Sequence, residues 1–255
     1  MRKILTSIVI TAATMTAVSC ASHYEVANIS RSRILVDNRY DKNKDAEAEK
    51  FIAPFKAKVD SIMSPVVGQT ARYLDKYQPE SPLSNLMADI LMWGAKSFNE
   101  KPDFAVYNVG GIRASLAKGD VTYGDILDVA PFENKIYFCT LTGDKVTELF
   151  RQMADYGGQG VSHGVEAVMD KDNKLVSLKI NGSEIDPNKE YRIATLDYVV
   201  EGNDRMTAFK SKTKVNGPKG TENNVRFIII SYFKEMAAQG KVVDSKVENR
   251  FVKTK

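Results

Sequence analysis

The sequence predicts an α/β fold of mixed α+β type, with mixed sheets packed against helices, and three observations carry that prediction. Segments with the 3.6-residue apolar period of a helix mix with short apolar runs of strand length, without strict strand–helix alternation. Two neighbouring runs, Val165–Met169 and Leu175–Ile180, are joined by the turn-forming stretch 170–173 and read as a hairpin, which an all-parallel sheet lacks. The chain has 255 residues, 43% hydrophobic and 27% charged, the composition of a globular protein with a sizeable core.

Residues 1–19 are read as a targeting segment. Arg2 and Lys3 precede an apolar run over 4–18 and a small-residue exit at Ser19, a secretory layout that is short for a membrane span. The ending Ala17-Val18-Ser19-Cys20 resembles the lipobox of bacterial lipoproteins, so Cys20 is the expected lipidation site. A plain signal peptide with an incidental Cys is the alternative. A lipid there implies a bacterial cell envelope, on the periplasmic or outer-membrane face, and an oxidising compartment. Residues 20–43 are polar and weakly periodic, a tether or N-terminal extension, or else an edge strand. Residues 44–255 are expected to be the folded domain.

Within that domain, Phe51, Ile52, Phe55, Val59, Ile62 and Met63 recur as one helix face over 45–63, and Pro65 stops the helix. A strand is predicted over 66–74. Ser81 or Ser84 caps a second helix carrying Leu86, Met87, Ile90, Leu91 and Gly94 on one side. A short buried strand over 102–107 runs into Asn108-Val109-Gly110-Gly111. A short helix over Tyr123–Val129, a strand over 135–141, and a helix from Thr142 to Ala154 follow, then a Gly-rich loop over 157–164. After the hairpin come a strand over 191–196, a Lys/Gly/Asn-rich loop over 210–222, a helix over 224–238 and a closing strand over 250–252.

Charge and composition narrow the function. The formal charge is +4, and without residues 1–19 the balance is 34 basic against 32 acidic residues, so no nucleic-acid partner is expected. Only two His and two Cys are present, too few for a His- or Cys-rich metal centre, so neither a metal site nor a cofactor is expected in this chain. Cys139 falls in an apolar run and reads as an inert core thiol.

Three loops carry the candidate chemistry. In Asn108-Val109-Gly110-Gly111-Ile112-Arg113 the glycines allow close backbone approach or positive φ, and Arg113 offers a fork for phosphate or carboxylate; a simple turn is the alternative. In Pro131-Phe132-Glu133-Asn134 an aromatic stands among polar residues, unless Phe132 folds back into the core. From Asp197 the chain passes Tyr198 and a Gly202-Asn203 turn to Asp204, an acid able to accept both hydroxyls of a ribose or simply to stabilise its own turn.

Together with Ser84-Asn85-Leu86-Met87-Ala88-Asp89, Gly119-Asp120-Val121-Thr122-Tyr123 and Leu141-Thr142-Gly143, these segments resemble, in the same order, the C-terminal substrate-binding domain of the 5'-nucleotidase and UDP-sugar hydrolase family. The match covers roughly residues 66–253. The resemblance implies a base held between Phe132 and Tyr198, ribose hydroxyls on Asp204, base-edge contacts near Asn134 and Gly164, and phosphate-side contacts from Asn108 and Arg113, with Gly110 and Gly111 shaping the loop.

Three departures from the family matter. Its enzymes carry an N-terminal metallophosphoesterase domain with two metals held by Asp, His and Asn, and the stretch before residue 66 is too short for one. Where the family usually has a further Arg before the Ser84-Asn85 helix, Lys76, Tyr77 and Gln78 stand here, with Arg72 as the candidate substitute. Tyr198 replaces the usual Phe. His163 reads as a loop residue near the base pocket. The expectation is a nucleotide- or nucleoside-recognition component of a 5'-nucleotidase system, with divalent metals supplied by a separate metallophosphatase. The alternative is a stand-alone nucleoside- or nucleotide-binding lipoprotein for scavenging or uptake.

Overall fold

The computed structural model describes residues 25–42 and 44–254; the targeting segment, Cys20 and His23 lie outside them. The chain divides into two compact units at Phe51/Ile52. The described residues of the first unit form no strand. They carry no regular element before a 3₁₀ turn over Asn38–Tyr40, capped by the Asp37 carboxylate accepting from the Arg39 amide at 3.0 Å. Helix α1, Ala46–Met63, begins where Asp45 Oδ1 accepts the amides of Glu47 and Ala48 at 3.0 and 3.1 Å. None of its residues is buried, and Ile52, Val59 and Ile62 are about half exposed.

In the second unit β1, Val66–Thr70, pairs antiparallel with β3, Gly119–Thr122. The predicted strand over 66–74 stops at Thr70, and Leu74 keeps only an isolated bridge to Leu116. Helix α2, Pro82–Gly94, is capped by Ser81, with Ser84 completing a reciprocal capping box and Pro82 in the first turn. Helix α3, Tyr123–Val129, starts on a second capping box, Thr122 with Asp125. Helix α4 is Gly143–Asp155, α5 is the single turn Asp197–Val200, and α6 is Val225–Ala238.

The central sheet has five strands: β2 is Phe104–Tyr107, β4 Ile136–Thr142, β5 Gly160–Val161, β9 Glu190–Leu196 and β10 Thr213–Asn216. Their spatial order is β10-β4-β9-β2-β5. A second sheet has the order β11-β6-β7-β8, from Phe251–Lys253, Val165–Met169, Leu175–Ile180 and Ser183–Glu184. β6 and β7 form the expected antiparallel hairpin, and β11 pairs parallel to β6. β10 lies inside the predicted 210–222 loop; its polar, largely exposed edge-strand sequence carries no alternation to reveal it.

The sheet register decides where function can sit. β2 runs parallel to β9, with Phe104 opposite Ile193, while β4 runs antiparallel to β9, with Ile136 opposite Leu196. The C-terminal ends of β2 and β9 and the N-terminal start of β4 therefore share one end of the sheet. The core beneath is aromatic: Phe104 lies 5.7 Å from Phe150, which stacks at 6.3 Å on Phe251. Cys139 is fully buried, and burial pushes its thiol up to about 12, as expected of an inert core thiol.

A polar lock ties the C-terminal strand to α2. Arg250, 4% exposed, donates to both Asp89 carboxylate oxygens at 2.8 and 2.7 Å and to the Val161 carbonyl at 2.9 Å. Glu80, equally buried, accepts from Asn85 Nδ2 at 2.6 Å and from the amides of Glu248 and Arg250 at 2.7 and 2.9 Å. Asn85 and Asp89 of the Ser84-to-Asp89 segment thus hold the fold together.

Candidate functional site

The three candidate loops leave the central sheet at the shared end. The segment after β2 carries Asn108, Gly110, Gly111 and Arg113; the segment before β4 carries Phe132 and Asn134; the segment after β9 carries Tyr198 and Asp204. These eight residues line one cavity of about 400 Å³, within the size range of small-molecule sites. Phe132 and Tyr198 are about half exposed, so neither ring folds back into the core.

Each loop is held from below. Asn108 is 3% exposed and its Nδ2 donates to Asp204 Oδ2 at 2.8 Å, linking the first loop to the third. The 3₁₀ turn Val109–Gly111 follows, with the Val109 amide donating to Gln159 Oε1 at 2.8 Å. A Cβ on Gly111 would stand 2.7 Å from Asn108 Oδ1, so close approach is what requires glycine there. The guanidinium of Arg226, on α6, carries the Phe132 loop: it donates to the carbonyls of Ala130 at 3.0 Å, Pro131 at 2.6 Å and Phe132 at 3.3 Å. Arg113 lies over the Phe132 ring, 5.9 Å from its centroid.

In the third loop the Tyr198 hydroxyl donates to Asp204 Oδ1 at 3.1 Å, and Asn203 Nδ2 donates to the Tyr198 carbonyl at 2.7 Å. Asp204 and Arg205 both take left-handed backbone conformations, φ 51° and 64°, after Gly202 at 87°. Two consecutive non-glycine residues there are uncommon and mark a loop whose shape is imposed by its contacts. The hydrogen bond to the Asp204 carboxylate, with lesser contributions from burial and that negative charge, raises the Tyr198 phenol above its ordinary value.

Gly164 does not line the cavity. β5 pairs antiparallel to β2, with Gly160 opposite Tyr107, so the chain leaves the site there and Gly164 lies four residues further on, about 13 Å of extended chain. Its carbonyl accepts from the Asn181 amide at 2.7 Å. His163 is likewise outside, its Nδ1 3.0 Å from Glu248 Oε2. Arg72 is engaged by Asp244 at 2.5 and 2.8 Å and does not line the cavity. Lys76 reaches the first loop, donating to the Ile112 carbonyl at 2.6 Å. Gln159 and Arg226 escape sequence reasoning because their side chains hydrogen-bond to backbone groups; their sole signals are a polar residue in a Gly-rich loop and an Arg in the first turn of an apolar helix.

The donor set does not fit a metal pair. The cavity offers one carboxylate beside amides and a cation, and among the described residues no group of three or more His, Cys, Asp or Glu is arranged to hold a metal ion. No helix among the described residues is long and apolar enough to cross a membrane.

Comparison with known proteins bears on family and fold. UshA of Escherichia coli K12 is 32% identical over 165 residues, 63% of this chain and 30% of UshA. The trifunctional nucleotide phosphoesterase YfkN of Bacillus subtilis is 31% identical over 193 residues, 68% of this chain and 13% of YfkN. The chain thus spans less than a third of the length of these relatives. In fold it is similar to the 5'-nucleotidase precursor of Thermus thermophilus, with a TM-score of 0.69 over 82% of this chain and 43% of that one, at 23% identity. The model of the 5'-nucleotidase C-terminal domain matches residues 62–211, and this chain belongs to that family.

Proposed function

We propose that this chain binds nucleosides or nucleotides as the recognition component of a 5'-nucleotidase system. The observation that carries the reading is the convergence of Phe132, Tyr198, Asp204, Asn108 and Arg113 on one cavity. A nucleobase stacks between the two rings, each contact contributing on the order of 1–3 kcal/mol whatever the base. Asn134 reads the base edge, Asp204 accepts from the sugar hydroxyls, and Arg113 with Asn108 faces the 5' side. Arg113 also covers Phe132, so an entering base competes for that ring face and frees the guanidinium for a phosphate.

Hydrolysis needs groups to stabilise the charge of the transferring phosphoryl group, and the donor set described above does not fit a metal pair. We therefore assign that step to a separate metallophosphatase chain, with the divalent metals residing there. The layout of residues 1–20 supports export and lipid attachment at Cys20, on a bacterial envelope membrane.

A thermal-shift and calorimetric screen of the protein against adenosine, AMP and adenine tests the binding reading, since ligands of the native state raise its apparent stability. Saturable binding of adenosine or AMP is expected; no binding of either refutes the reading. Asp204→Ala is expected to cost about 1.5 kcal/mol toward adenosine and little toward adenine, and equal losses would remove the sugar role. Incorporation of labelled palmitate, abolished by Cys20→Ala, tests the anchor.

A further inference from the structure

The Asp204 carboxylate is held at both oxygens before any ligand arrives. Asn108 donates to Oδ2 at 2.8 Å and the Tyr198 hydroxyl to Oδ1 at 3.1 Å. Asn108 cannot exchange its amide ends without aiming a carbonyl oxygen at the carboxylate, and its Oδ1 is buried without a partner beside Gly111. The Tyr198 backbone is pinned in turn, its amide donating to Asp197 Oδ1 at 2.8 Å and its carbonyl accepting from Asn203. Ring, hydroxyl and acid therefore form one connected unit.

A carboxylate offers about two acceptor positions on each oxygen. One on each is filled by the protein, and one on each remains. The two filled bonds fix the rotation of the carboxylate plane, so the remaining positions form a pair of set separation and direction. A vicinal cis-diol presents two O–H donors on adjacent carbons and meets both; a single hydroxyl meets one, and a sugar lacking both meets neither.

We infer that Tyr198 is a specificity-determining residue, its hydroxyl orienting Asp204 for ligands with a vicinal cis-diol, ribo- rather than deoxyribonucleosides. The inference rests on the nucleoside reading above and adds to it a role for the phenol oxygen separate from the stacking ring. Phenylalanine at this position keeps the ring and releases one edge of the carboxylate, which then rotates about the Asn108 bond alone.

Calorimetry of wild type and Tyr198→Phe with adenosine, 2'-deoxyadenosine and 2',3'-dideoxyadenosine tests it. The expected result is an adenosine Kd about fivefold weaker in Tyr198→Phe, the loss of one hydrogen bond's orienting effect, with dideoxyadenosine binding retained, so that the preference for the diol collapses. In an Asp204→Ala background the same substitution is expected to have no further effect on adenosine, a coupling that a merely structural role does not produce. Equal weakening of all three ligands, or additive effects in the double variant, overturns the inference alone. A wild-type protein that binds the ligands without preferring adenosine overturns it together with the sugar role of Asp204, and leaves recognition of the base standing. Binding of none of them by wild type overturns the nucleoside reading and this inference with it.

Discussion

Two polar clusters of this molecule use the same side-chain chemistry to opposite ends. In the lock, the Arg250 guanidinium is spent on the Asp89 and Glu248 carboxylates and the Val161 carbonyl, and Glu80 on the Asn85 side chain and backbone amides, and Glu80 and Arg250 are only 5% and 4% exposed. In the cavity, Asp204 is half-buried, Arg113 and the two rings are exposed, and the contacts between protein groups leave acceptor capacity and ring faces open. A closed network stabilises one arrangement and recognises nothing. An open one, braced by Gln159 and Arg226 beneath it, can meet a ligand.

The largest expected effect separates the two clusters. Arg250→Met removes the buried cation that pairs with Asp89 at 2.7 Å and Glu248 at 2.9 Å, strands those half-buried carboxylates and takes the guanidinium donor from the Val161 carbonyl, which is expected to cost roughly 3 kcal/mol of stability. Urea unfolding reads that loss, and the adenosine affinity of the folded fraction is expected to stay at the wild-type value. A matching loss of affinity breaks the separation.

Phe132→Ala is the converse. Binding weakens by about 2 kcal/mol through lost stacking, while the unfolding midpoint barely moves because the ring is half exposed. Gly111→Ala probes the joint between the clusters' logics: its Cβ collides with Asn108 Oδ1, pushes the amide off Asp204, and is expected to cost about 1 kcal/mol in both stability and adenosine binding. An unchanged affinity shows that Asn108 is not needed to hold the acid.

The smallest effect is a pH dependence that belongs to the lock. Glu248 is held below the usual carboxylate range, first by its hydrogen bond to His163 and then by Arg250, against the opposing effect of burial. A depressed folded-state value means that its contribution is complete above the ordinary glutamate pKa of about 4.3 and is lost as pH falls through the lowered value. Stability measured from pH 6 down to pH 3 is expected to fall less steeply in Glu248→Gln than in wild type; identical slopes would remove Glu248 from the acid response.

Much of the fold is legible residue by residue. The period of α1, the capping serine before α2, the Val165–Ile180 hairpin and the apolar run of β4 are local signals, and each produces the element it implies. The strands that escape, β3, β5, β8 and β10, are two to four residues long; they exist because a partner strand supplies their hydrogen bonds, not through any pattern of their own. The apolar face of α1 is equally clear in sequence, yet none of its residues is buried. Periodicity reports which residues share a face and says nothing about what lies opposite.

By itself the sequence determined the element types, the family pattern and the identity of eight residues that line the cavity, because helix and strand periods, caps and short motifs are written in neighbouring residues. Only the tertiary structure decided that Asn108, Phe132 and Asp204 meet. They stand 24 and 72 residues apart along the chain, and it is the parallel pairing of β2 with β9 and the antiparallel pairing of β4 with β9 that bring their loops to one end of one sheet. The same register carries Gly164 away, since β5 runs antiparallel from Tyr107. It also brings the Tyr198 hydroxyl and the Asn108 amide onto the two oxygens of one acid, a contact that depends on loop geometry in three dimensions and has no counterpart in residue spacing.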